Sequence, residues 1–345
     1  MSREEALRLF ERQSHVHLAT TAPDGAPVLR ALHMVVSDGM LCFHGAPVGE
    51  KHTAIGREAV VCAEEVIAEV PSYWSDPELA CPATTLYLSA QTHGPIVEVT
   101  DAAARARALQ RLMERYQPEG GHAPIAHDDP RYTKSVAGLF IAGVSLDRLD
   151  GKGKLAQNRT PQAIAAIIER LWERGDRGDA RAAALVMRAN PKVPRGSRFV
   201  GPHGTTLEPS LEAHDLHDAV TLVRDEYWNA GRFDDERIAR AHRESAAWVA
   251  ARSPDGAIIA TARAVSDGVK FAYIADVAVR SEWRGRGVGA ALMGLLLDHP
   301  MLRHAARVEL ATRDAMTFYE RFGFRITSQE QRTDRVRTVM ARDRA

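Results

Sequence analysis

At 345 residues the chain is longer than one hydrophobic core usually fills, since single cores seldom grow beyond roughly 250–300 residues, so two domains are expected. Its 45 Lys and Arg balance 45 Asp and Glu, which excludes a net field that would draw nucleic acid or an anionic membrane and leaves ionic recognition to local sites. No apolar run approaches the length of a membrane span, and the opening MSREEALRLFERQ reads as a charged helix rather than an export signal, so a cytoplasmic protein is expected.

After that helix, residues 15–20 alternate apolar and polar side chains as a half-buried strand does. Ala22-Pro23-Asp24-Gly25 is a turn, residues 28–36 a second strand, Ser37-Asp38-Gly39 another turn, and residues 41–44 a third strand. Strands joined by Asp-Gly turns make an antiparallel sheet. Further strands are predicted over 60–68, 84–99 and 137–146, with a helix over 101–116, a pattern that suits a small closed barrel. Two more helices follow, one with Thr160 as N-cap and Pro161 in its first turn, the other over 179–189. Pro and Gly then crowd the stretch to Gly204. The predicted division is a barrel domain over 1–190, a linker over 191–205 and a second domain over 206–345. The three cysteines, Cys42, Cys62 and Cys81, lack CxxC spacing and imply neither a disulfide framework nor a zinc site; Cys42 and Cys62 read as small core residues. His122 and His127 lie in a loop without ligand partners, and no metal is expected.

Residues 42–55, CFHGAPVGEKHTAI, end a strand in His44, expose backbone at Gly45 and Ala46, and place Lys51 one turn into a short helix. This segment resembles the FMN-binding split barrels of the pyridoxamine 5'-phosphate oxidase superfamily, most closely the nitroimidazole-resistance (Nim-like) branch, and the Thr85-x-Tyr87-x-Ser89 strand with Gly94 fits it too. The resemblance implies FMN, with Lys51 neutralising its phosphate and Thr85 or Ser89 donating hydrogen bonds. Backbone around Arg30, Ala31, Leu32 and His33, and at Gly45 and Ala46, would face the ring, with His44 near ring and substrate. It also implies a homodimer formed through the barrel. Related barrels can carry haem, but no axial histidine is marked here. Gly151 to Arg159, GKGKLAQNR, is similar to the tail of FMN-binding regulators; Lys154, Gln157, Asn158 and Arg159 are open to contact with a flavin phosphate, a dimer partner or solvent. The paired arginine and histidine substrate signature of true pyridoxamine phosphate oxidases is not visible.

In the second half, residues 274–279 read as a strand buried on both faces, apolar apart from Asp276. Arg284, Gly285, Arg286, Gly287, Val288 and Gly289 then form a basic, glycine-rich turn, and Val288, Ala291, Leu292, Leu295 and Leu296 recur at helical spacing. The first N–H groups of a helix lack intrahelical partners and favour an anion, so the turn is a candidate phosphate cradle. Residues 308–312 read as the next strand, followed by Ala315, Phe318, Tyr319, Phe322, Gly323 and Phe324. Arg284-x-x-Gly287-x-Gly289 with Tyr319-x-x-x-Gly323-Phe324 resembles the GNAT acyl-CoA N-acyltransferases. The resemblance implies that backbone from Arg284 to Ala290 holds coenzyme A pyrophosphate and that Val277, Ala278 and Val279 pair with pantetheine and polarise the thioester. Tyr319 stands where the family's general acid lies, or else is a core aromatic beside Phe318 and Phe322. Asp276 is open to binding the substrate ammonium or relaying its proton, or to bonding Arg313 or backbone as structure. Tyr227, Trp228 and Arg232 fall where GNATs gate the acceptor.

The expected fold class is therefore α+β, an N-terminal FMN-binding split β-barrel with helices and a C-terminal α/β GNAT domain. The expected function is acetyl-CoA-dependent N-acetylation of a small amine, joined to a flavin domain that acts as a reductase. The competing readings are a sensor or regulatory protein that binds FMN or another planar ligand and whose GNAT half modifies a protein or polyamine, and a cofactor-free barrel that only dimerises the transferase.

Overall fold

The charged helix expected of the first residues is present in the computed structural model and opens on a reciprocal cap: Ser2 Oγ accepts from Glu5 N at 3.2 Å and Glu5 accepts from Ser2 N at 2.6 Å at the start of α1 (Arg3–Arg12). The structure describes residues 1–332 and 335–344. They form two compact units, one of Met1–Val66 and Thr85–Lys154, the other of Ile67–Thr84 and Leu155–Ala345.

In the first unit β1 (Val16–Thr21), β2 (Pro27–Leu32), β3 (Val35–Ser37) and β4 (Met40–Gly45) lead through the short α2 (Glu50–Thr53) to the long β5 (Glu58–Val70). Then come β6 (Thr84–Pro95), β7 (Val97–Glu98), α3 (Ala102–Tyr116), α4 (Thr133–Gly138), β8 (Phe140–Ser145) and β9 (Asp150–Lys154). Two sheets result, ordered β2-β1-β5-β6-β9 and β3-β4-β8-β7. The predicted strands over 28–36 and 84–99 each break in two, because the chain leaves one sheet at His33-Met34 and again at Ile96 to enter the other. Val35, Cys42, Ala108, Leu112 and Ile141 form one packed cluster, so Cys42 is a core residue as expected. Cys62 is not: Val61 and Ala63 take the inward positions of β5, and Cys62 faces the other side, with its sulfur 3.8 Å from Ser89 Oγ.

The second unit contains α5 (Pro161–Arg174), α6 (Asp179–Ala189), β10 (Thr206–Glu208), α7 (Leu216–Val223), α8 (Asp235–Arg243), β11 (Ala247–Arg252) and β12 (Ile258–Ser266). It continues with β13 (Phe271–Val279), α9 (Val288–Asp298), β14 (Arg307–Thr312), α10 (Met316–Glu320), β15 (Arg325–Arg332) and β16 (Arg335–Asp343). Its sheet runs β10-β11-β12-β13-β14-β16-β15, antiparallel except for the β13–β14 pair, which α9 bridges. The alanines of β11 and β12, from Ala250 to Ala264, are fully buried, which lets α7 and α9 approach the strands closely.

The division does not fall at residue 190. Trp172 of α5 is fully buried in the second unit, 5.4 Å from the Phe199 ring and 5.5 Å from the His299 ring, and its Nε1 donates to Asp298 at 2.8 Å. Arg188 and Arg181 of α6 pair with Glu208 and Glu212. The predicted linker is ordered packing within this unit: Phe199 is buried and Arg198 bridges Glu169 and Asp298. Among the described residues no helix is long and apolar enough to cross a membrane.

His299, just past the end of α9, is 3% exposed. Its Nδ1 accepts from Met301 N at 3.2 Å and its other face bonds the Pro209 backbone carbonyl, which suits the neutral ring. Burial pushes its pKa down to about 4. The folded state therefore binds this proton less readily than the unfolded chain, so its contribution is complete above the unfolded value near 6.5 and is lost as pH falls from there towards 4. The loss amounts to about 3 kcal/mol across that window. Urea midpoints at pH 7 and pH 4.5 should converge between His299→Gln and the parent chain as pH falls; parallel declines would contradict this.

Candidate functional site

Strands β13 and β14 pair from Phe271 opposite Arg307 as far as Ile274 opposite Leu310, and there the ladder stops although both strands continue. On its other edge β13 gains one residue against β12, since Arg263 faces Ala275 and Thr261 faces Ala278. The extra residue lies in the stretch containing Asp276, whose φ of +50° is left-handed, a conformation an aspartate tolerates at some cost. The parting strands open a cleft of about 750 Å3, lined by Ala275 to Val279 on one side and Ala311 to Ala315 on the other. Val277 has no register partner in either ladder, and past Ile274 the β14-facing edge of β13 borders the cleft.

Asp276 is committed to structure. Its carboxylate accepts from Trp228 Nε1 at 2.8 Å and Asn229 Nδ2 at 3.4 Å, and from Arg263 Nε at 2.5 Å. Arg263, not Arg313, is its ionic partner. With one guanidinium and two N–H donors around a carboxylate that is 8% exposed, a role as substrate base gives way to one of holding the bulge and tying it to the segment that carries Trp228.

The glycine-rich turn stands at the same cleft. Gly287 caps α9 with φ of +82° and no side-chain cap, and Gly285 and Gly289 line the opening with Ala290. The first α9 amides, through Ala290, therefore lack helical acceptors, as the cradle requires. At Gly289 a Cβ would meet Val279 at 3.4 Å and Phe318 at 3.7 Å, which is ordinary contact, so helix and strand pack against each other here. Val288 is buried beneath the turn. Arg284 acts as a splint rather than a free phosphate ligand: Nε donates to Val279 O at 2.8 Å, and the guanidinium pairs with Glu226 at 3.0 Å. Arg286 lies over the Trp283 ring at 5.4 Å and, among the described residues, has no ion pair.

Tyr319 lines the cleft and is otherwise buried, its ring 5.1 Å from Phe318 and 6.1 Å from Phe324. Burial, then Tyr227, raise its pKa, which keeps the phenol protonated. Its hydroxyl has no hydrogen-bond partner among the described residues. The tyrosine is thus a packed aromatic at the cleft whose hydroxyl stays protonated. Tyr227 and Trp228 meet edge to face at 4.8 Å, and Arg232 joins them in the lining.

In the first unit the structure brings together some of the expected flavin ligands. Lys51 lies over the Gly45 backbone, its Nζ 3.4 Å from where a Cβ would stand, and among the described residues it has no carboxylate partner. Burial lowers the pKa of His44, with Lys51 and His33 adding to the effect, so these three side chains share one neighbourhood. Arg30 pairs with Glu50 at 2.7 Å, Ala46 is exposed, and His33, following Ala31 and Leu32 of β2, meets the His15 ring at 4.1 Å in a tilted contact. Thr85 and Ser89 lie elsewhere, on the outward face of β6, where Ser89 meets Cys62 and faces Lys152 of β9 across the ladder. An unpaired lysine over a bare glycine backbone fits the phosphate of a flavin; among the described residues neither hydroxyl is bonded to that lysine. Of the GKGKLAQNR segment, Lys154 stands 5.8 Å from the Tyr87 ring, Gln157 accepts from Leu155 N, and Arg159 donates to Pro82 O. Among the described residues no cluster of three or more His, Cys, Asp or Glu is arranged to hold a metal.

Sequence reasoning missed Arg263 and Asn229, which fix Asp276. Arg263 carried one signal, as the only charged residue in the alanine-rich strand IIATARAVS.

Residues 2–152 match the family model of pyridoxamine 5'-phosphate oxidase, and residues 213–324 that of the acetyltransferase (GNAT) family. No curated protein matches the chain. Similar solved structures include the FAD and heme binding protein from Mycobacterium smegmatis, with 21% identity over 44% of this chain and 71% of that one, TM-score 0.36. The ribosomal-protein-S18-alanine N-acetyltransferase from Escherichia coli has 23% identity over 40% of this chain and 93% of that one, TM-score 0.35. A putative GNAT acetyltransferase from Xanthomonas campestris pv. campestris has 35% identity over 36% of this chain and 87% of that one, TM-score 0.32. The chain is a fusion in which a domain of the pyridoxamine 5'-phosphate oxidase family, residues 2–152, precedes a GNAT acetyltransferase domain, residues 213–324.

Proposed function

We propose that the second unit transfers the acetyl group of acetyl-CoA to the nitrogen of a small amine. The observation that carries this reading is the end of β13–β14 pairing at Ile274 and Leu310 beside the uncapped start of α9, which puts free strand amides and helix amides on one cleft. The helix amides and Arg286 suit the coenzyme's phosphates. The neutral amine attacks the thioester carbon and forms the C–N bond, while backbone N–H groups of Val277 to Val279 take the developing oxyanion. Collapse breaks the C–S bond, the thiolate takes the phenolic proton of Tyr319, and the proton shed by the acetylated nitrogen restores the phenol through water. Asp276 contributes by holding the bulge that aims those amides.

The first unit is proposed to hold a flavin, with Lys51 at the phosphate and His44 and His33 beside the ring. A bound flavin would supply hydride chemistry, and the coupling motivated by the fusion is reduction of a nitro group to an amine that the other unit acetylates, with three hydride equivalents from a reduced nicotinamide and both oxygens leaving as water. Dimerisation through the first unit and a cytoplasmic location complete the proposal.

Gly287→Glu forces a β-carbon into left-handed backbone and adds negative charge at the cradle, so acetyl-CoA binding measured by calorimetry should be lost; unchanged affinity would remove the phosphate assignment. Tyr319→Phe should lower kcat about 100-fold with acetyl-CoA affinity unchanged, and a fully active variant would leave the residue only its packing role. The purified protein should be yellow, and Lys51→Ala should weaken FMN binding about tenfold by absorbance titration. Colourless protein that takes up no added FMN would show the barrel to be a cofactor-free module.

A further inference from the structure

We propose, resting on the transferase reading, that the acceptor amine sits on a flat or aromatic body that also bears an anionic group, a carboxylate or a phosphate, and is not a polycation. A polyamine needs carboxylates to hold its distal ammonium groups. Each carboxylate lining this cleft is engaged. Asp276 is held by Arg263, Trp228 and Asn229, Glu226 by Arg284 at 3.0 Å, and Asp314 by Arg313 at 3.3 Å.

Cations are in surplus instead. Five arginines line the cleft against those three carboxylates, and Arg232 has no ion pair among the described residues. Arg232 follows Tyr227 and Trp228 in the same segment, where its N–H donates to the Asn229 carbonyl at 2.9 Å, and it lines the cleft with them. Arg313 stands 4.1 Å from the Tyr227 ring, and its backbone N–H donates to the Tyr227 hydroxyl at 3.0 Å. Arg337 reaches the Tyr273 hydroxyl at 3.4 Å and shares its charge with Glu330 at 3.2 Å. A guanidinium matches the two oxygens of a carboxylate or phosphate, and the perpendicular Tyr227 and Trp228 rings offer a wall for a planar body. The same positive surroundings favour the neutral form of the incoming amine, the form that attacks.

The test is thiol release from acetyl-CoA with phenylalanine, tyramine phosphate, phenylalanine amide and spermidine, alongside calorimetry of acetyl-CoA alone. Phenylalanine or tyramine phosphate should exceed both the amide and spermidine at least tenfold in kcat/KM, the better of the two identifying the anion. Arg232→Gln should bring the ratio of anionic amine to amide close to one. Spermidine equal to or better than the anionic amines, or a ratio that Arg232→Gln leaves intact, overturns the substrate class while the transferase reading stands. Acetyl-CoA binding with all four amines silent overturns the substrate class as well. Absence of acetyl-CoA binding overturns the transferase reading, and the inference with it.

Discussion

The second unit depends on a buried ion pair. Asp276 occupies a backbone conformation that a β-carbon disfavours, inside a strand where an unpaired carboxylate would be costly. Arg263 supplies the opposite charge from the neighbouring strand, and Trp228 and Asn229 fill two further acceptor positions from outside the sheet. With those partners the strain is sustained, the strand gains its extra residue against β12, and beside it the ladder to β14 ends. Without them the ordinary course for an apolar strand is to continue the ladder. The geometry proposed for chemistry is thus maintained by groups outside that proposal, and the segment carrying Trp228 and Asn229 is bonded to the same carboxylate.

The glycine-rich turn shows a related economy. Of two guanidiniums that sequence alone assigns to phosphate, one is spent on the architecture: Arg284 ties the turn to the carbonyl of Val279 and to Glu226. What remains for an anion is the set of helix amides, exposed because Gly287 bends the chain into the helix without a capping side chain. Backbone donors fixed by a buried helix need no reorganisation when an anion arrives, whereas a long exposed side chain loses rotamer freedom on binding.

Much of this site was legible because its information is local. Glycine spacing, the Asp in an apolar strand and the Tyr-x-x-x-Gly-Phe segment all lie within short windows, and the structure places Asp276, Gly287 and Tyr319 on one cleft. The role of Asp276 was not legible, since Arg263, Trp228 and Asn229 come from other elements and no spacing announces their meeting. Strand β9, all Asp, Gly and Lys, has no hydrophobic alternation to mark it, and it forms only through its ladder with β6. Ser89 and Thr85 were grouped with Lys51 by motif, yet the strand's two-residue period turns them to a different face. Helices α5 and α6 were assigned to the wrong half because amphipathic periodicity tells that a helix has a buried face, not which core receives it.

The excursion Ile67–Thr84 has a consequence for how the gene is divided. It leaves the long strand β5 and returns at β6, yet it belongs to the second unit, where Arg174 of α5 lies 4.9 Å from the Trp74 ring and donates to the Glu69 carbonyl at 2.9 Å. The polypeptide therefore passes from one unit to the other three times. No single cut separates them: a C-terminal fragment beginning anywhere after residue 84 lacks part of its own unit, and an N-terminal fragment ending at Lys154 carries that part as an orphan. Two domains that look like consecutive beads in sequence are, as folding modules, interleaved.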